Sequence, residues 1–181
     1  MALTTPTLPT ARLVLRPVRD VDAGALFDLM SDGELLRYWD SPPWTDREQA
    51  QRFVAGSAAM AQEERGVRVA VDDAAGRFLG WCTLAEWNPE FRTAELGFCF
   101  ARAAWGHGYA TEAAAALLDW GFPAMDLNRV DGQVDTRNPP SARVLERLGF
   151  RREGTKREDC IVDGVVSDTW IYGLLRRDRK A

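Results

Sequence analysis

Residues 105–113 read Trp-Gly-His-Gly-Tyr-Ala-Thr-Glu-Ala and lie between an expected strand and an expected helix. A helix N-terminus offers about four backbone N–H groups without intrahelical partners and carries roughly half a positive charge. Gly106 and Gly108 let the backbone turn sharply and approach a ligand closely, so diphosphate oxygens would take several N–H bonds at once. Two familiar phosphate binders fit poorly. The GxxxxGK-Ser/Thr loop is absent, and Thr111 stands where a dinucleotide-binding turn wants its third glycine. A strand-to-helix turn whose glycines serve geometry alone is the competing reading.

Asn138-Pro139-Pro140-Ser141 is the second segment with chemical potential. Asn is a good N-cap and Pro is tolerated in the first turn, so a short helix starts here and Gly149 ends it. Ser141 is then either a polar first-turn residue or a hydroxyl aimed at a ligand. His107 is the single histidine of the chain. A histidine side chain ordinarily titrates at about 6.5, which would suit a base. In a diphosphate loop, however, its backbone N–H is the useful part and its side chain points to solvent.

Several elements must position these groups. Residues 10–18 suit a first strand, and Asp20 or Asp22 caps a helix with Leu26, Leu29 and Met30 on one face. Thr45 and Glu48 form a capping box for the next helix, after the aromatic loop of residues 38–44. Residues 67–71 and 78–84 read as a hairpin. In the strand of residues 93–100, Ala94, Leu96, Phe98 and Phe100 share one face, and Glu95, Gly97 and Cys99 share the other. Ala110, Ala113, Ala114, Leu117 and Leu118 form a helical stripe. A strand over 129–134 precedes the Asn138 helix, and strands over 152–161 and 167–175 flank an Asp163-Gly164 turn. The expected fold class is α/β, with a central mixed β-sheet flanked by helices on both faces.

The 181 residues suit one domain, residues 1–181, able to bury a core without metals or disulfides. Cys82, Cys99 and Cys160 are odd in number and lack CxxC spacing, which argues against a zinc site or a disulfide framework. No metal is expected, and a reducing cytoplasm is the expected location. Residues 1–10 lack a basic and apolar leader, and the longest apolar run, residues 113–118, is too short to span a bilayer. A net charge of −4 gives no basic footprint for nucleic acid. The basic residues 176–180 read as a solvated tail.

The loop resembles the pyrophosphate loop of the GNAT N-acetyltransferases, Q/R-x-x-G-x-G/A, with Gly108 and Ala110 in its last two defined places. Trp105 departs from the Gln or Arg of that motif. The departure is usual in the RimJ/RimL-like branch, where the segment commonly reads WGxGYATEA. Other stretches are similar to that branch in the same order: Thr10-Ala11-Arg12-Leu13-Val14-Leu15-Arg16-Pro17, Glu95-Leu96-Gly97-Phe98, Asn138-Pro139-Pro140-Ser141, Leu148-Gly149-Phe150 and Glu153-Gly154. The resemblance covers nearly the whole chain.

The resemblance implies an acyl-CoA N-acyltransferase fold and a cytoplasmic enzyme that moves acetyl from acetyl-CoA to an amine in a ternary complex. The strand bearing Phe98, Cys99 and Phe100 would splay and offer its backbone to pantetheine, with an N–H near Phe98 for the oxygen that becomes negative. Trp105, Gly106, His107, Gly108, Tyr109, Ala110 and Thr111 would hold the diphosphate, and Asn138 and Ser141 would contact the cofactor. Many members protonate the departing thiolate with a tyrosine, but Tyr38, Tyr109 and Tyr172 all lie outside residues 138–150. Ser141 takes that role. Glu95 and Glu158 are candidate bases or, alternatively, solvated charges. Cys99 is better read as a small buried strand residue. Trp39 and Trp44 border the acceptor pocket or pack on the core edge. The acceptor, a peptide N-terminus or a small amine, stays open, as do a different donor such as succinyl-CoA and a non-catalytic acyl-CoA-binding module. Homodimers are common in the branch.

Overall fold

From its N-terminal side the chain forms β1 (Leu8–Pro9), β2 (Leu13–Pro17), α1 (Ala23–Met30), α2 (Gly33–Leu36) and α3 (Glu48–Gln62). It continues through β3 (Val67–Asp73), β4 (Phe78–Asn88), β5 (Thr93–Phe100), α4 (Tyr109–Ala124) and β6 (Arg129–Asp135). Last come α5 (Pro139–Arg147), β7 (Arg151–Val162) and β8 (Val165–Leu175). The computed structural model describes residues 3–179. The eight strands among the described residues join one sheet in the order β1-β2-β3-β4-β5-β6-β8-β7.

The period-two pattern sorts side chains onto two cores. On one face α4 and α5 bring Ala113, Leu117, Leu118 and Leu145 against Leu84, Leu96 and Val130. On the other face α1 and α3 bring Leu26, Met30 and Val54 against Trp81 and Cys99. Helices therefore cover both faces of a mixed sheet, as the sequence pattern predicts. Each fully buried leucine contributes about 1.5–3 kcal/mol relative to exposure. Among the described residues, no helix is long and apolar enough to cross a membrane.

Strand pairing creates the opening that a site needs. Neighbouring strands are antiparallel except β5 and β6, which run parallel and pair only at Thr93 with Arg129, Ala94 with Val130 and Glu95 with Asp131. Beyond Glu95 they part, while β6 stays paired to β8 through Asp135. The edge of β5 over residues 96–100 thus faces a gap. On its other side β5 is held by β4 as far as the Gly80–Phe100 pair.

Several local expectations are corrected. The first strand is interrupted: Thr10 turns the chain, with its N–H on Leu13 O at 2.8 Å, so residues 10–18 divide between a turn and β2. Asp22 holds the N-cap position of α1, but its side chain makes no capping bond; it accepts instead from the Arg19 N–H and from both terminal nitrogens of Arg16. The capping box of α3 is displaced by one residue. Asp46 Oδ1 accepts from Glu48 N at 2.9 Å, and Gln49 Oε1 accepts from Thr45 N and Asp46 N, both at 3.0 Å. The basic C-terminal segment is anchored through two arginines rather than being a free tail: Arg176 donates to Leu127 O and Phe122 O, and Arg179 to Leu118 O. Lys180 lies outside the described residues.

Gly80 sets how closely β4 approaches β5. A Cβ there would sit 2.1 Å from Cys99 O and 2.8 Å from Phe100 Cα, both backbone atoms that side-chain rotation cannot move. Gly80→Ala is therefore expected to lower stability by about 1–3 kcal/mol, as overpacking does. Urea unfolding would measure this; an unchanged midpoint would contradict the close approach.

Candidate active site

The loop from β5 to α4 is built to leave amides open. Gly106 and Gly108 adopt left-handed φ values of 78° and 77°, which L-side chains avoid. A Cβ at Gly106 would meet nothing within 4 Å, so backbone conformation rather than crowding calls for glycine there. Trp105 N donates to Arg102 O at 3.1 Å, and Glu112 N donates to Gly108 O at 3.1 Å. Between them, the N–H groups of residues 106–111 have no acceptor among the described residues. Gly108 is the N-cap and supplies no side chain to fill the end of α4. Such a row is an anion cradle.

Two arms hold the row in place. Arg12 Nη1 donates to His107 O at 2.9 Å, turning that carbonyl away from the open amides. Glu112 accepts from Thr10 Oγ1 at 2.7 Å, Arg12 N at 3.0 Å and Arg12 Nε at 2.7 Å. Burial alone would raise the Glu112 carboxyl, but these bonds more than offset it and hold the group below its ordinary value. Its charge is tied to the sheet edge rather than spent on the amides of its own helix. The Tyr109 ring has the Arg12 guanidinium 4.8 Å from its centre and stacks with the His107 ring at 5.4 Å. Trp105 is half-exposed and donates from Nε1 to Phe100 O at 2.8 Å.

The gap between β5 and β6 opens into a cavity of about 520 Å³. Of the residues singled out by sequence, Trp39, Glu95, Phe98, Asn138 and Ser141 line it. Asn138 is the N-cap of α5, its Oδ1 accepting from Ser141 N at 3.3 Å. Ser141 lines the cavity, and among the described residues no hydrogen bond engages its Oγ. Glu95 Oε2 accepts from Gln133 Nε2 at 2.9 Å.

Other expected residues fall elsewhere. Trp44 packs edge-on to Phe53 at 5.6 Å and does not line the cavity. Glu158 is exposed, with φ of 54° and its N–H on Asp168 Oδ1 at 2.8 Å. It sits where residues 157–159 face the single Asp168 between the Lys156–Thr169 and Cys160–Ser167 pairs. The bulge turns Asp159, not Glu158, to the cavity. Cys99 and Phe100 are buried and do not line it.

Sequence reasoning passed over Tyr38, Asp40, Gln133, Asp135 and Asp159, all of which line the cavity. With Glu95 they supply four carboxylates, and neither Lys nor Arg lines the same wall. Burial would raise the Asp135 carboxyl, yet the bonds from Arg137 hold it below its ordinary value. An excess of carboxylate beside Tyr38, Trp39 and Trp81 suits a cation.

Comparison with known proteins gives the family and the fold. The family profile described as acetyltransferase (GNAT) domain matches residues 12–151. The uncharacterized N-acetyltransferase p20 of Bacillus licheniformis is 32% identical over 173 residues, which are 95% of this chain and 97% of that protein. The uncharacterized N-acetyltransferase YoaA of Bacillus subtilis is 33% identical over 175 residues, 94% of this chain and 97% of that protein. A solved structure of spermidine N-acetyltransferase from Vibrio cholerae, in complex with CoA and spermine, shares the fold. Its TM-score is 0.84 over 93% of this chain and 98% of that one, at 23% identity.

The thiols divide sharply. Burial pushes Cys99 up to about 12 and also raises Cys82, so both are poor nucleophiles. Cys160 is part-exposed. A disulfide reagent at neutral pH is expected to react quickly with Cys160 alone and with the other two only after unfolding. Equal rates for all three would contradict the burial.

Proposed function

Because the chain belongs to the acetyltransferase (GNAT) family, we propose that it transfers acetyl from acetyl-CoA to a primary amine, both substrates bound together and the amine attacking directly. The row of unpartnered amides at residues 106–111 carries this reading. Diphosphate is the part of the donor that fits it, since several N–H groups are left open where α4 begins and no side chain caps that end. When bound, the donor supplies a thioester whose carbonyl carbon accepts the amine. Trp105, Gly106, His107, Gly108, Tyr109, Ala110 and Thr111 would hold the nucleotide end, with Asn138 and Ser141 beside the thioester arm. The unpaired β5 edge at Phe98, Cys99 and Phe100 offers backbone groups to pantetheine.

Ser141, which lines the cavity, would give a proton to the departing thiolate, whose conjugate acid has a pKa of about 8.5 if it behaves as cysteine does. A backbone N–H near Phe98 would meet the oxygen that gains charge. Glu95 is the base we favour because its carboxylate faces the cavity, whereas Glu158 does not. Trp39 and the carboxylates around it would bind the acceptor, with Trp44 supporting the wall from behind. Family membership also supports a cytoplasmic, metal-free enzyme in which residues 1–181 act as one domain, as a homodimer.

The acidic cavity favours a cationic acceptor, and the polyamine in the Vibrio cholerae complex is one such amine; a peptide N-terminus is another. A different donor, such as succinyl-CoA, and a non-catalytic acyl-CoA-binding module are the alternatives. Thiol release from acetyl-CoA, followed with a panel of polyamines, peptides and amino acids, separates them. Turnover is expected with at least one amine; tight CoA binding without turnover would favour the module.

Ser141→Ala is expected to lower kcat by about 10²-fold, the usual size of a lost general acid, while calorimetry shows CoA affinity nearly unchanged. Tyr38→Phe is the companion variant, because Tyr38 brings a second hydroxyl to the same cavity. Loss of rate in Tyr38→Phe with full rate in Ser141→Ala would move the acid to Tyr38.

A further inference from the structure

Two carboxylates on different strands, Glu95 on β5 and Asp159 on β7, line the cavity, and a chain of side chains runs between them. Gln133, on β6, donates from Nε2 to Glu95 Oε2 at 2.9 Å and accepts at Oε1 from Lys156 Nζ at 3.4 Å. Lys156 Nζ in turn lies 3.9 Å from Asp159 Oδ2. The amide can face only one way in this chain. Its NH2 end must meet a carboxylate that only accepts, and its oxygen must meet an ammonium that only donates.

The position of Gln133 gives this bond a purpose. The last backbone pairing between β5 and β6 is Glu95 with Asp131, and the strands separate beyond it. Gln133 is two residues further along β6, on the same face as Asp131. It therefore reaches back across the widening gap, where no ladder bond helps to fix the Glu95 side chain. Only one carboxylate oxygen is engaged; among the described residues Glu95 Oε1 has no donor.

We propose that Gln133 is a positioning residue for acetyl transfer, holding Glu95 across the β5–β6 gap with one oxygen bonded and the other free to take the amine's proton. Lys156 keeps the Gln133 amide from reversing. A reversed amide would set its oxygen against Glu95 and leave the carboxylate without a donor. This inference rests on the reading of Glu95 as the base.

A double-mutant cycle tests it, using Gln133→Met, Glu95→Gln and the pair, with acetyl-CoA and the best acceptor from the amine panel. Met keeps the length of Gln and removes the donor. Each single variant is expected to lose about 10- to 100-fold in kcat, the scale of a misplaced catalytic group. KM for acetyl-CoA should stay within about twofold, and the double variant should be no slower than Glu95→Gln alone. Losses that multiply would overturn the positioning role, because a merely structural glutamine slows both backgrounds equally. Full rate in Gln133→Met beside a slow Glu95→Gln would overturn this inference alone. Full rate in Glu95→Gln would overturn the base assignment itself. If Gln133→Met does not fold, Gln133→Asn, too short to reach Glu95, takes its place in the same cycle.

Discussion

Everything the site can do depends on a row of backbone N–H groups kept without partners. Proteins ordinarily satisfy such groups, and a helix end left open is an invitation to an anion. Here the vacancy is enforced from two sides. Left-handed turns at Gly106 and Gly108 aim the amides outward, and the Arg12 arm draws the His107 carbonyl and the Glu112 carboxylate toward β2. Without that arm, Glu112 in the first turn of α4 would be the nearest anion for its own helix. The turn between β1 and β2, distant in sequence, thus protects the cradle by occupying its internal competitor.

The sheet supplies the other half of the site. Parallel strands need a crossover, and α4 provides it between β5 and β6. That helix must begin at the end of β5 and return to the start of β6, so cradle and gap arise from one topological unit. The β5–β6 ladder stops at Glu95, and the carboxylate of that residue stands at the mouth of the gap. On the far wall α5 begins at Asn138, bringing Ser141 to the same cavity. One strand separation therefore places the Ser141 hydroxyl group, the Glu95 side chain and an unpaired strand edge at a single opening.

Local chemistry was readable wherever neighbours in sequence decide the outcome. Asp163 and Gly164 adopt φ values of 49° and 79°, the turn their identities demand. Asn138 caps α5. The α3 start was missed by one residue because residues 45–49 contain two overlapping capping boxes, and the tertiary path selected Asp46 with Gln49. The larger omissions lie where a distant contact decides. Trp39 and Trp81 pack nearly perpendicular at 5.7 Å and both line the cavity, whereas Trp44 turns to Phe53. The β7 bulge depends on Asp168 of the partner strand, so alternation along β7 gives no sign that Asp159 replaces Glu158. Gln133 looks like an ordinary strand residue until β5 is set beside it.

Amide hydrogen exchange resolved at single residues, with and without saturating CoA, tests the cradle most directly. Protection should rise at residues 106–111 and change little in the β7–β8 hairpin. If CoA binds while those amides exchange as fast as in the free protein, the nucleotide is held elsewhere and the account fails.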